Sequence, residues 1–434
     1  MLQFLFSKTP LLFLTQSFWR DEAYSYMLAV RPIGEILILT ARDFTPPLYY
    51  LAMHFWILIA GKNEVLLRVL SLVPYLAMVY VALLLVERFT KQKKLLGMFL
   101  FVLAFSLSPI LVYYAFEVRM YSALAFFTLL SSYALLTNKK KPYLVSTIAG
   151  LYTHYFMFLV LGIQVLFLYL TRNKKDGLKA LIYPFVSFMT FVPWIIFVIA
   201  QRNPLNDAFW IPIPTARDFW LMAASIYTGY ENNFRYYPDI MKLSLLVMVC
   251  VAVGAVIVKN KWKKDHAMLY FFLLAVVPPL VIFAVSFVKP LLLSRYLIIS
   301  SAGLSFFLIL TADRLPKFFG YTLIGLLLIV SVHYTIAETG HRTKANLARS
   351  IGEIRQIAHT NDLLYVTSEL DFFPAQFYFG AENVYVYNKT YDSIPNFVGK
   401  VLIPPERVVS RLPFFPVKAF IFNQNGSYRI EALY

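Results

Sequence analysis

Cysteine and charge are both scarce in this 434-residue sequence. The single cysteine, Cys250, excludes an intrachain disulfide, and no Cys/His cluster has the spacing of a structural zinc site. Only 15% of the residues are charged, whereas 59% are hydrophobic and 18% are aromatic. With a mean hydropathy of +0.64, this composition excludes an ordinary soluble globular protein.

Long apolar runs recur along the sequence. Because each run is close to the roughly 20 residues that a helix needs to cross the hydrocarbon core, the sequence predicts an all-α polytopic membrane protein. We expect about eleven transmembrane helices together with juxtamembrane helices. The clearest apolar runs are Leu95–Ala115, Leu178–Ala200, Ala267–Val288, Tyr296–Thr311 and Phe318–Ala337.

The formal net charge of +17 is distributed in short clusters between the apolar runs, which argues against nucleic-acid binding. The positive-inside rule assigns the most basic connections to the cytoplasm. These are Glu87–Lys94, Asn138–Pro142, Thr171–Lys179, Asn260–His266 and Asp313–Lys317. The remaining connections then lie on the extracytoplasmic face of a plasma (inner) membrane, and they are Arg20–Arg68, Glu117–Tyr121, Gln201–Asp239 and Lys289–Arg295.

Some segments are not simple spans. Tyr143–Leu170 has basic loops on both sides, so we predict two short helices with Thr153-His154-Tyr155 at an external apex. The alternative is one long tilted helix with a buried histidine. Ala23–Thr40 and Leu48–Ala60 are predicted as two juxtamembrane helices. Met1–Trp19 is either a short, imperfect span or the continuation of a chain that begins upstream.

The composition changes after Ala337. We predict a transmembrane catalytic domain over residues 1–337 and a small extracytoplasmic α/β domain over residues 338–434. In the second domain, Lys344–His359 has the pattern of an amphipathic helix. The segments with a strand pattern are Leu363–Thr367, Val384–Tyr387 and Ala419–Phe422.

Several ionisable residues are predicted on one membrane face. Adjacent acids such as Asp21 and Glu22 are also typical of a helix start, where carboxylates are favoured. Charges near a bilayer are costly, however, and therefore indicate function. A base for an acceptor hydroxyl and cations for a phosphate leaving group would make a group-transfer site. The converging residues are Asp21, Glu22, Asp43, Glu117, Arg119, His154, Arg295 and Tyr296.

These residues carry a resemblance to a known superfamily. Trp19-Arg20-Asp21-Glu22-Ala23-Tyr24-Ser25 resembles the first-loop acidic motif of the GT-C membrane glycosyltransferases. The nearest match is the protein O-mannosyltransferase and aminoarabinose-transferase type, which is glycosyltransferase family 39 together with its relatives. The resemblance extends to about Ala337, with no strong match in the C-terminal domain. Further motifs follow in the order expected of that superfamily, at Asp43–Tyr50, Arg68, Ser108–Tyr121, Thr153–Tyr155 and Arg295–Leu297.

The resemblance implies that a sugar is transferred from a polyprenyl-phosphate donor to an acceptor protein, lipid or glycan on the extracytoplasmic face. It implies that Asp21 is the base and that Glu22 orients either Asp21 or the acceptor. Glu117 would position the acceptor or a divalent cation, unless it forms only a local ion pair with Arg119. These three acids would offer oxygen ligands to Mg²⁺ or Mn²⁺, although arginines can supply the positive charge instead.

The remaining site residues are expected to bind substrate. Arg295 is the preferred phosphate contact, because a guanidinium group can bind two phosphate oxygens at once. Its alternative role is to anchor at the membrane interface beside Tyr296. Asp43 either lines the acceptor site or makes a turn hydrogen bond before Thr45. The other expected substrate contacts are Arg68, Arg119, His154 and Tyr296, of which the two arginines have a structural role as their alternative.

Two other classes of function compete with this interpretation. A polytopic transporter or a lipid-linked-oligosaccharide flippase would also place ionisable residues and broken helices in the membrane. The acids, however, cluster in an external loop, and the sequence has no matching halves. A membrane-anchored adhesion or sensor protein would need a single anchor rather than many spans.

Overall fold

A computed structural model describes residues 9–43, 45–201, 210–231 and 239–434. The predicted first span, Met1–Trp19, lies partly outside the described residues, and its described part contains one short helix, Leu11–Thr15. The predicted external connection Gln201–Asp239 also lies partly outside them.

The chain is mainly helical up to residue 341. The first nine described helices are α1 (Leu11–Thr15), α2 (Arg20–Ala29), α3 (Ile33–Arg42), α4 (Leu48–Ala60), α5 (Glu64–Phe89), α6 (Leu95–Ser106), α7 (Pro109–Ala115), α8 (Tyr121–Leu136) and α9 (Lys140–Thr153). The next eight are α10 (Met157–Thr171), α11 (Lys174–Ala180), α12 (Ile182–Gln201), α13 (Ala216–Thr228), α14 (Ile240–Lys261), α15 (His266–Val285), α16 (Ile298–Arg314) and α17 (Lys317–His341).

Within the described ranges, 6 helices are long and apolar enough to cross a membrane, or up to 7 if the bent pair α6 and α7 forms one span. These six are Glu64–Phe89 (α5), Lys175–Gln201 (most of α11 joined to α12), Ile240–Lys261 (α14), His266–Val285 (α15), Ser294–Arg314 (α16 with the 3₁₀ turn before it) and Lys317–His341 (α17). The chain is therefore a multi-pass helical membrane protein with a small C-terminal sheet domain, as the sequence predicts. The number of about eleven spans stays a prediction.

Breaks divide three of the predicted helical segments. Tyr143–Leu170 forms two helices, α9 and α10, which confirms the two-helix alternative. The single helix predicted over Ala23–Thr40 is wrong, because Pro32 disfavours the helical conformation of the residue before it and α2 therefore ends at Ala29. Leu95–Ala115 is broken before Pro109, where α6 and α7 meet at a bend of 70°.

Helix α16 forms the centre of the bundle, since 94% of the most apolar stretch within Ser294–Arg314 is buried. Small residues allow neighbouring helices to approach it closely. A Cβ atom at Gly303 of α16 would lie 2.8 Å from Leu274 Cγ and 3.1 Å from the backbone nitrogen of Ala275 in α15. Close backbone approach at small residues is typical of packing between membrane helices.

The C-terminal residues form a five-stranded sheet with two helices. The strands are β1 (Leu363–Val366), β2 (Val384–Tyr387), β3 (Val408–Val409), β4 (Ala419–Phe422) and β5 (Tyr428–Glu431), and the helices are α18 (Leu347–Ile357) and α19 (Phe372–Tyr378). The strand order is β3-β2-β1-β4-β5, and only the β4–β5 pair is antiparallel. The predicted strands β2 and β4 have the predicted bounds. The division into domains between residues 337 and 338 stays a prediction.

Helix α19 docks the sheet domain onto the first loop of the membrane domain. The Phe377 ring stacks on Phe18 at 4.8 Å between centroids and meets the edge of Tyr26 at 4.9 Å. The backbone N–H of Phe18 donates a 2.6 Å hydrogen bond to the Tyr378 hydroxyl. The chain that leads into Asp21 is therefore packed between the membrane helices and the C-terminal domain.

Candidate active site

A cavity of about 630 Å³ opens beside the first turn of α2. Six of the nine predicted site residues line it, namely Asp21, Asp43, Arg119, His154, Arg295 and Tyr296. Aromatic and aliphatic side chains of α10, α12 and α15 form its other side, among them Phe158, Phe191, Trp194, Ile195, Val281 and Val285. The cavity is therefore polar at one end and apolar along the membrane helices.

Asp21 is the best-defined acid of the polar end. Its Oδ1 atom lies 2.9 Å from Arg20 Nε, and its Oδ2 atom accepts a 3.2 Å hydrogen bond from Arg295 Nη1. Burial alone would raise the pKa of Asp21, but Arg20, Arg119 and Arg295 outweigh burial and hold the pKa well below its usual range. The carboxylate is therefore ionised at neutral pH.

Arg295 connects two acids from distant parts of the chain. It lies in the short 3₁₀ helix Ser294–Leu297, which leads into α16. Its Nε atom is 3.9 Å from Glu231 Oε1, and Ser294 donates a 2.7 Å hydrogen bond to the same Glu231 oxygen. Among the described residues, Nε of Arg295 has no hydrogen-bond partner although it is buried. This guanidinium therefore has donor capacity left for a ligand.

Arg119 approaches the cavity from the connection between α7 and α8. Its Nη1 atom is 3.4 Å from Ser25 Oγ, and its guanidinium carbon lies 5.9 Å from the centroid of the Tyr121 ring. Its buried Nε atom also has no hydrogen-bond partner in the described part of the chain. The cavity is lined by four cationic side chains, Arg20, Arg119, Lys289 and Arg295, against two carboxylates, Asp21 and Asp43. This excess of positive charge favours an anionic ligand.

Glu22 and Arg68 lie behind the cavity, in a buried ion network. The carboxylate of Glu22 accepts two 2.9 Å hydrogen bonds from Arg68 Nε and Nη2, and Lys344 Nζ lies 2.7 Å from Glu22 Oε2. Burial would raise the pKa of Glu22, but Arg68 and Lys344 outweigh burial and lower it. Arg68 also donates hydrogen bonds of 2.9 and 2.7 Å to the carbonyl oxygens of Leu14 and Gln16. The network joins α2, α5, the start of the chain and the C-terminal domain.

Glu117 is likewise buried behind the cavity. Its Oε1 atom accepts a 3.1 Å hydrogen bond from Trp19 Nε1, and its Oε2 atom has no hydrogen-bond partner among the described residues. Burial raises the pKa of Glu117. The structure contains no ion pair between the described side chains of Glu117 and Arg119, so the alternative of a local pair is wrong. Asp21 in the first loop and Glu117 in the second loop thus have different environments, because arginines contact Asp21 whereas a tryptophan N–H donates to Glu117.

Asp43 and His154 form two other parts of the cavity wall. Asp43 Oδ2 accepts a 2.7 Å hydrogen bond from the Tyr24 hydroxyl. His154 lies between α9 and α10, where its Nδ1 atom accepts a 3.1 Å hydrogen bond from the backbone N–H of Phe156. Its ring is 6.0 Å from the Tyr296 ring. Burial and the nearby Arg119 lower the pKa of His154 to about 3, so the ring is neutral at physiological pH.

The predicted acids do not assemble into a metal site. In the parts of the chain that the structure describes, no group of three or more His, Cys, Asp or Glu side chains lies close enough to hold a metal ion. Instead, Asp21 contacts Arg20 and Arg295, and Glu22 contacts Arg68 and Lys344. Positive side chains therefore occupy the places around these two carboxylates that a metal ion would need.

Several residues of the site were not predicted from the sequence. Arg20 adjoins Asp21, and Lys289 belongs to a predicted external connection, so the positions of both residues in the sequence could have identified them as part of the site. Tyr24 lies inside the acidic motif but carries no charge. Four residues of the C-terminal part also belong to the site, and no sequence pattern around them predicts a contact with the first loop. They are Lys344 in the ion network and Phe397, Val398 and Gly399 in the cavity wall.

By sequence alone, the chain matches no family model and no curated protein. In structure it is similar to ArnT from Cupriavidus metallidurans in the apo state, with a TM-score of 0.62 and 12% identity over 94% of this chain and 88% of that chain. The same protein bound to undecaprenyl phosphate gives a TM-score of 0.59 and 13% identity over 95% of this chain and 91% of that chain. An oligosaccharyltransferase from Archaeoglobus fulgidus gives a TM-score of 0.46 at 11% identity. The two ArnT structures show that this chain shares the fold of ArnT, which confirms the predicted fold class.

Proposed function

We propose that this protein is a membrane glycosyltransferase that moves a sugar from a polyprenyl-phosphate donor to an acceptor on the extracytoplasmic face of the plasma membrane. One observation carries the proposal. The ionised Asp21 contacts Arg295 at the cationic end of a cavity that continues along apolar membrane helices. The site thus combines a base, an anion-binding group and an apolar surface, which are the three features that this reaction needs.

The apolar side of the cavity suits the donor lipid. Phe158, Phe191, Trp194, Val281 and Val285 would contact the polyprenyl chain, while the phosphate would lie near Arg295 and Arg119. The similarity to a structure of ArnT with bound undecaprenyl phosphate supports this arrangement. Both arginines have a buried Nε atom without a hydrogen-bond partner among the described residues, and a phosphate oxygen would supply that partner.

In the transfer step, Asp21 accepts the proton of the acceptor nucleophile. The acceptor atom forms a bond to the anomeric carbon of the sugar, and the bond from that carbon to the phosphate oxygen breaks. The polyprenyl phosphate leaves with the bonding electron pair and gains one negative charge. Arg295 and Arg119 stabilise this developing charge, which is the usual role of preorganised cations near a leaving group.

Donor binding would also make Asp21 a stronger base. In the structure, three arginines outweigh burial and hold the pKa of Asp21 low, and a carboxylate with so low a pKa is a weak base. A phosphate that attracts Arg295 and Arg119 would weaken their interaction with Asp21 and raise its pKa toward the usual range. The base would then be activated only when the donor is present.

The other predicted residues take supporting roles in the proposal. Glu22 and Arg68 would position the first loop rather than contact substrate, because both oxygens of Glu22 are bound to cations. Glu117 would fix Trp19, whose ring lies 5.9 Å from the guanidinium carbon of Arg295. Asp43 would face the acceptor, and His154 with Tyr296 would form the wall around the sugar and phosphate.

The test is Asp21→Asn in purified full-length protein reconstituted into liposomes, with a panel of undecaprenyl-phosphate sugars and membrane-extract acceptors. We expect sugar transfer to fall by roughly 10²- to 10⁴-fold, because the amide cannot accept the proton. Undecaprenyl phosphate should still bind. Arg295→Gln should instead weaken its binding, since the paired hydrogen bonds to phosphate are lost.

Asp239→Asn is the matched control, because Asp239 is an exposed aspartate that pairs only with Lys242 at 2.9 Å in the described structure. It should transfer sugar at the wild-type rate. Unchanged transfer by Asp21→Asn would refute the role of the base. Wild-type protein that flips a fluorescent lipid-linked oligosaccharide across the bilayer but transfers no sugar would favour the flippase alternative.

A further inference from the structure

A second cavity, of about 230 Å³, lies at the opposite end of the helices from Asp21. Helix α8 begins at Tyr121 in the first cavity, and Ala134 and Leu135 near its other end line the second. A helix of this length spans roughly 24 Å, so the two cavities are on opposite sides of the bundle. The second cavity adjoins the connections that the positive-inside rule assigns to the cytoplasm.

Basic side chains surround the entrance of this second cavity. They are Lys139, Lys140, Arg172 and Lys179. Aromatic rings hold the two adjacent lysines: Lys139 Nζ is 4.9 Å from the Tyr133 ring centroid, and Lys140 Nζ is 5.6 Å from that of Tyr183. These contacts favour one orientation of two long, exposed side chains.

The positive charge at the entrance is largely uncompensated. Asp176 is the one acid among the described residues that line the cavity. It belongs to a local cap, in which Asn173 Nδ2 donates a 2.9 Å hydrogen bond to Asp176 Oδ2. Within the described ranges, neither Arg172 nor Lys179 forms an ion pair. Four cations against one acid favour an anion, and the planar guanidinium of Arg172 suits a phosphate group.

The floor and the surroundings of the cavity are apolar. Ala134, Tyr143 and Leu168 are buried at its floor, where the Tyr143 hydroxyl donates a 2.7 Å hydrogen bond to Gln164. Apolar side chains are exposed on the outer surface next to the basic residues. They include Tyr169 at 79% exposure, three positions before Arg172 in the sequence, and Phe185 at 60% exposure, on the same helix as Tyr183. Such a surface matches acyl chains of the bilayer, whereas a free phosphate would use only the basic entrance.

We propose that this cavity binds the phosphate-bearing headgroup of an anionic membrane lipid on the side of the membrane opposite Asp21. Arg172, Lys139 and Lys179 bind the headgroup phosphate, and the acyl chains lie along Tyr169 and Phe185. The bound lipid joins α8, α9, α10 and α12 at their ends. The site is independent of the sugar-transfer reaction, so it stands or fails separately from the proposed function.

The experiment measures lipid binding by native mass spectrometry of the full-length protein in detergent, with phosphatidylglycerol as the probe. Phosphatidylcholine and inorganic phosphate are the two comparison ligands. The charge variant is Lys139→Gln with Arg172→Gln, and both side chains are exposed. Its control is Lys263→Gln with Lys264→Gln, an exposed lysine pair that removes the same charge from another basic connection. Ala180→Trp keeps every charge and fills the cavity that Ala180 lines.

We expect wild type and the control pair to bind phosphatidylglycerol in preference to phosphatidylcholine. The charge variant should bind it roughly tenfold or more weakly, because each basic group near anionic lipid contributes to binding. Ala180→Trp should weaken binding too, which separates a formed cavity from diffuse surface charge. Equal binding by all variants overturns the proposal, and so does an equal loss in the control pair. Saturable inorganic phosphate binding without lipid selectivity overturns the assignment to a lipid.

Discussion

At the scale of single residues, Asp21 and Glu22 show how neighbouring carboxylates acquire different roles. Successive positions on a helix point in directions about 100° apart, since there are 3.6 residues in a turn. Asp21 therefore faces the cavity and Arg295, whereas Glu22 faces Arg68 and Lys344 in the interior. Adjacent acids in the sequence thus indicate a site without revealing which of the two lines the cavity.

The buried network around Glu22 should dominate the stability of the first loop. We expect Arg68→Met to lower the free energy of unfolding by about 3–5 kcal/mol, because it leaves a buried carboxylate with Lys344 as its remaining cation. Combining it with Glu22→Gln should recover part of that loss, since the fully buried carboxylate is removed and the one charge left without its partner is the partly exposed Lys344. Unfolding of the detergent-solubilised variants, followed by intrinsic fluorescence, measures both effects.

A matched exposed pair provides the control for Arg68. Arg349 and Glu353 form a 3.1 Å pair in which both side chains are largely exposed, so Arg349→Met should change stability by less than about 1 kcal/mol. A loss in Arg68→Met no larger than that of Arg349→Met contradicts the assigned importance of the network. A double variant no more stable than Arg68→Met would also contradict the charge argument.

The same network has a pH dependence of defined sign. The pKa of Glu22 is lowered in the folded protein from an ordinary value of 4.5. Its ionic contribution to stability is therefore complete above that value and is lost as the pH falls through the folded pKa. The stability difference between wild type and Glu22→Gln should be constant near neutral pH and shrink below about pH 4.5. A difference that grows with acidification contradicts this sign.

At the scale of helices and strands, the pattern of apolar residues along the sequence predicted many of the elements. Leu48–Ala60, Val384–Tyr387 and Ala419–Phe422 have the predicted bounds because each is a continuous apolar segment between clear stop signals. The edge strands Val408–Val409 and Tyr428–Glu431 were not predicted. The first has only two residues, and the second alternates without a buried face. Their conformation depends on pairing with neighbours, which local pattern does not encode.

Helix packing makes a prediction at two glycines of α17. A Cβ atom at Gly320 would collide with the carbonyl oxygen of Ala312 in α16, whereas a Cβ atom at Gly325 would meet nothing within 4 Å. Gly320→Ala should therefore lower the free energy of unfolding by about 1–3 kcal/mol through overpacking. Gly325→Ala should leave it unchanged or raise it by up to about 1 kcal/mol, since alanine favours the helix. Thermal unfolding in detergent tests the opposite signs, and equal shifts would contradict the close helix contact.

At the scale of the whole molecule, the C-terminal domain is part of the candidate site. Lys344 reaches Glu22 across 322 positions of the sequence, and Phe397, Val398 and Gly399 line the cavity beside Tyr24. The sequence predicted a small C-terminal domain with a sheet, which the structure confirms, whereas its side of the membrane stays a prediction. It offered no signal for the docking, because contacts between distant segments depend on the complementary shapes of two folded surfaces. In the proposed reaction, both the membrane helices and the sheet domain would therefore determine how an acceptor reaches the cavity.

Domain docking can be tested at Gly399, which has a φ of +88° and packs against Tyr24. A Cβ atom there would lie 2.6 Å from the Tyr24 ring, whose hydroxyl is hydrogen-bonded to Asp43 in the cavity. Gly426 has a similar φ of +83°, but a Cβ atom there would only approach Ser350 Oγ at 3.4 Å. Substitution by alanine at either position should lower the free energy of unfolding by about 1 kcal/mol through backbone strain, because both glycines have a positive φ.

Only Gly399→Ala should displace Tyr24, so we expect it to reduce sugar transfer by about 10- to 100-fold more than Gly426→Ala does. Transfer rates of the reconstituted variants, compared at equal folded fraction, measure this difference. If both variants lose activity in parallel, backbone strain explains the effect. The sheet domain would then cover the cavity without shaping it. A selective loss at Gly399 instead means that the packing of the C-terminal domain against Tyr24 maintains the contact between Tyr24 and Asp43, which couples the two parts of the chain at the proposed acceptor side.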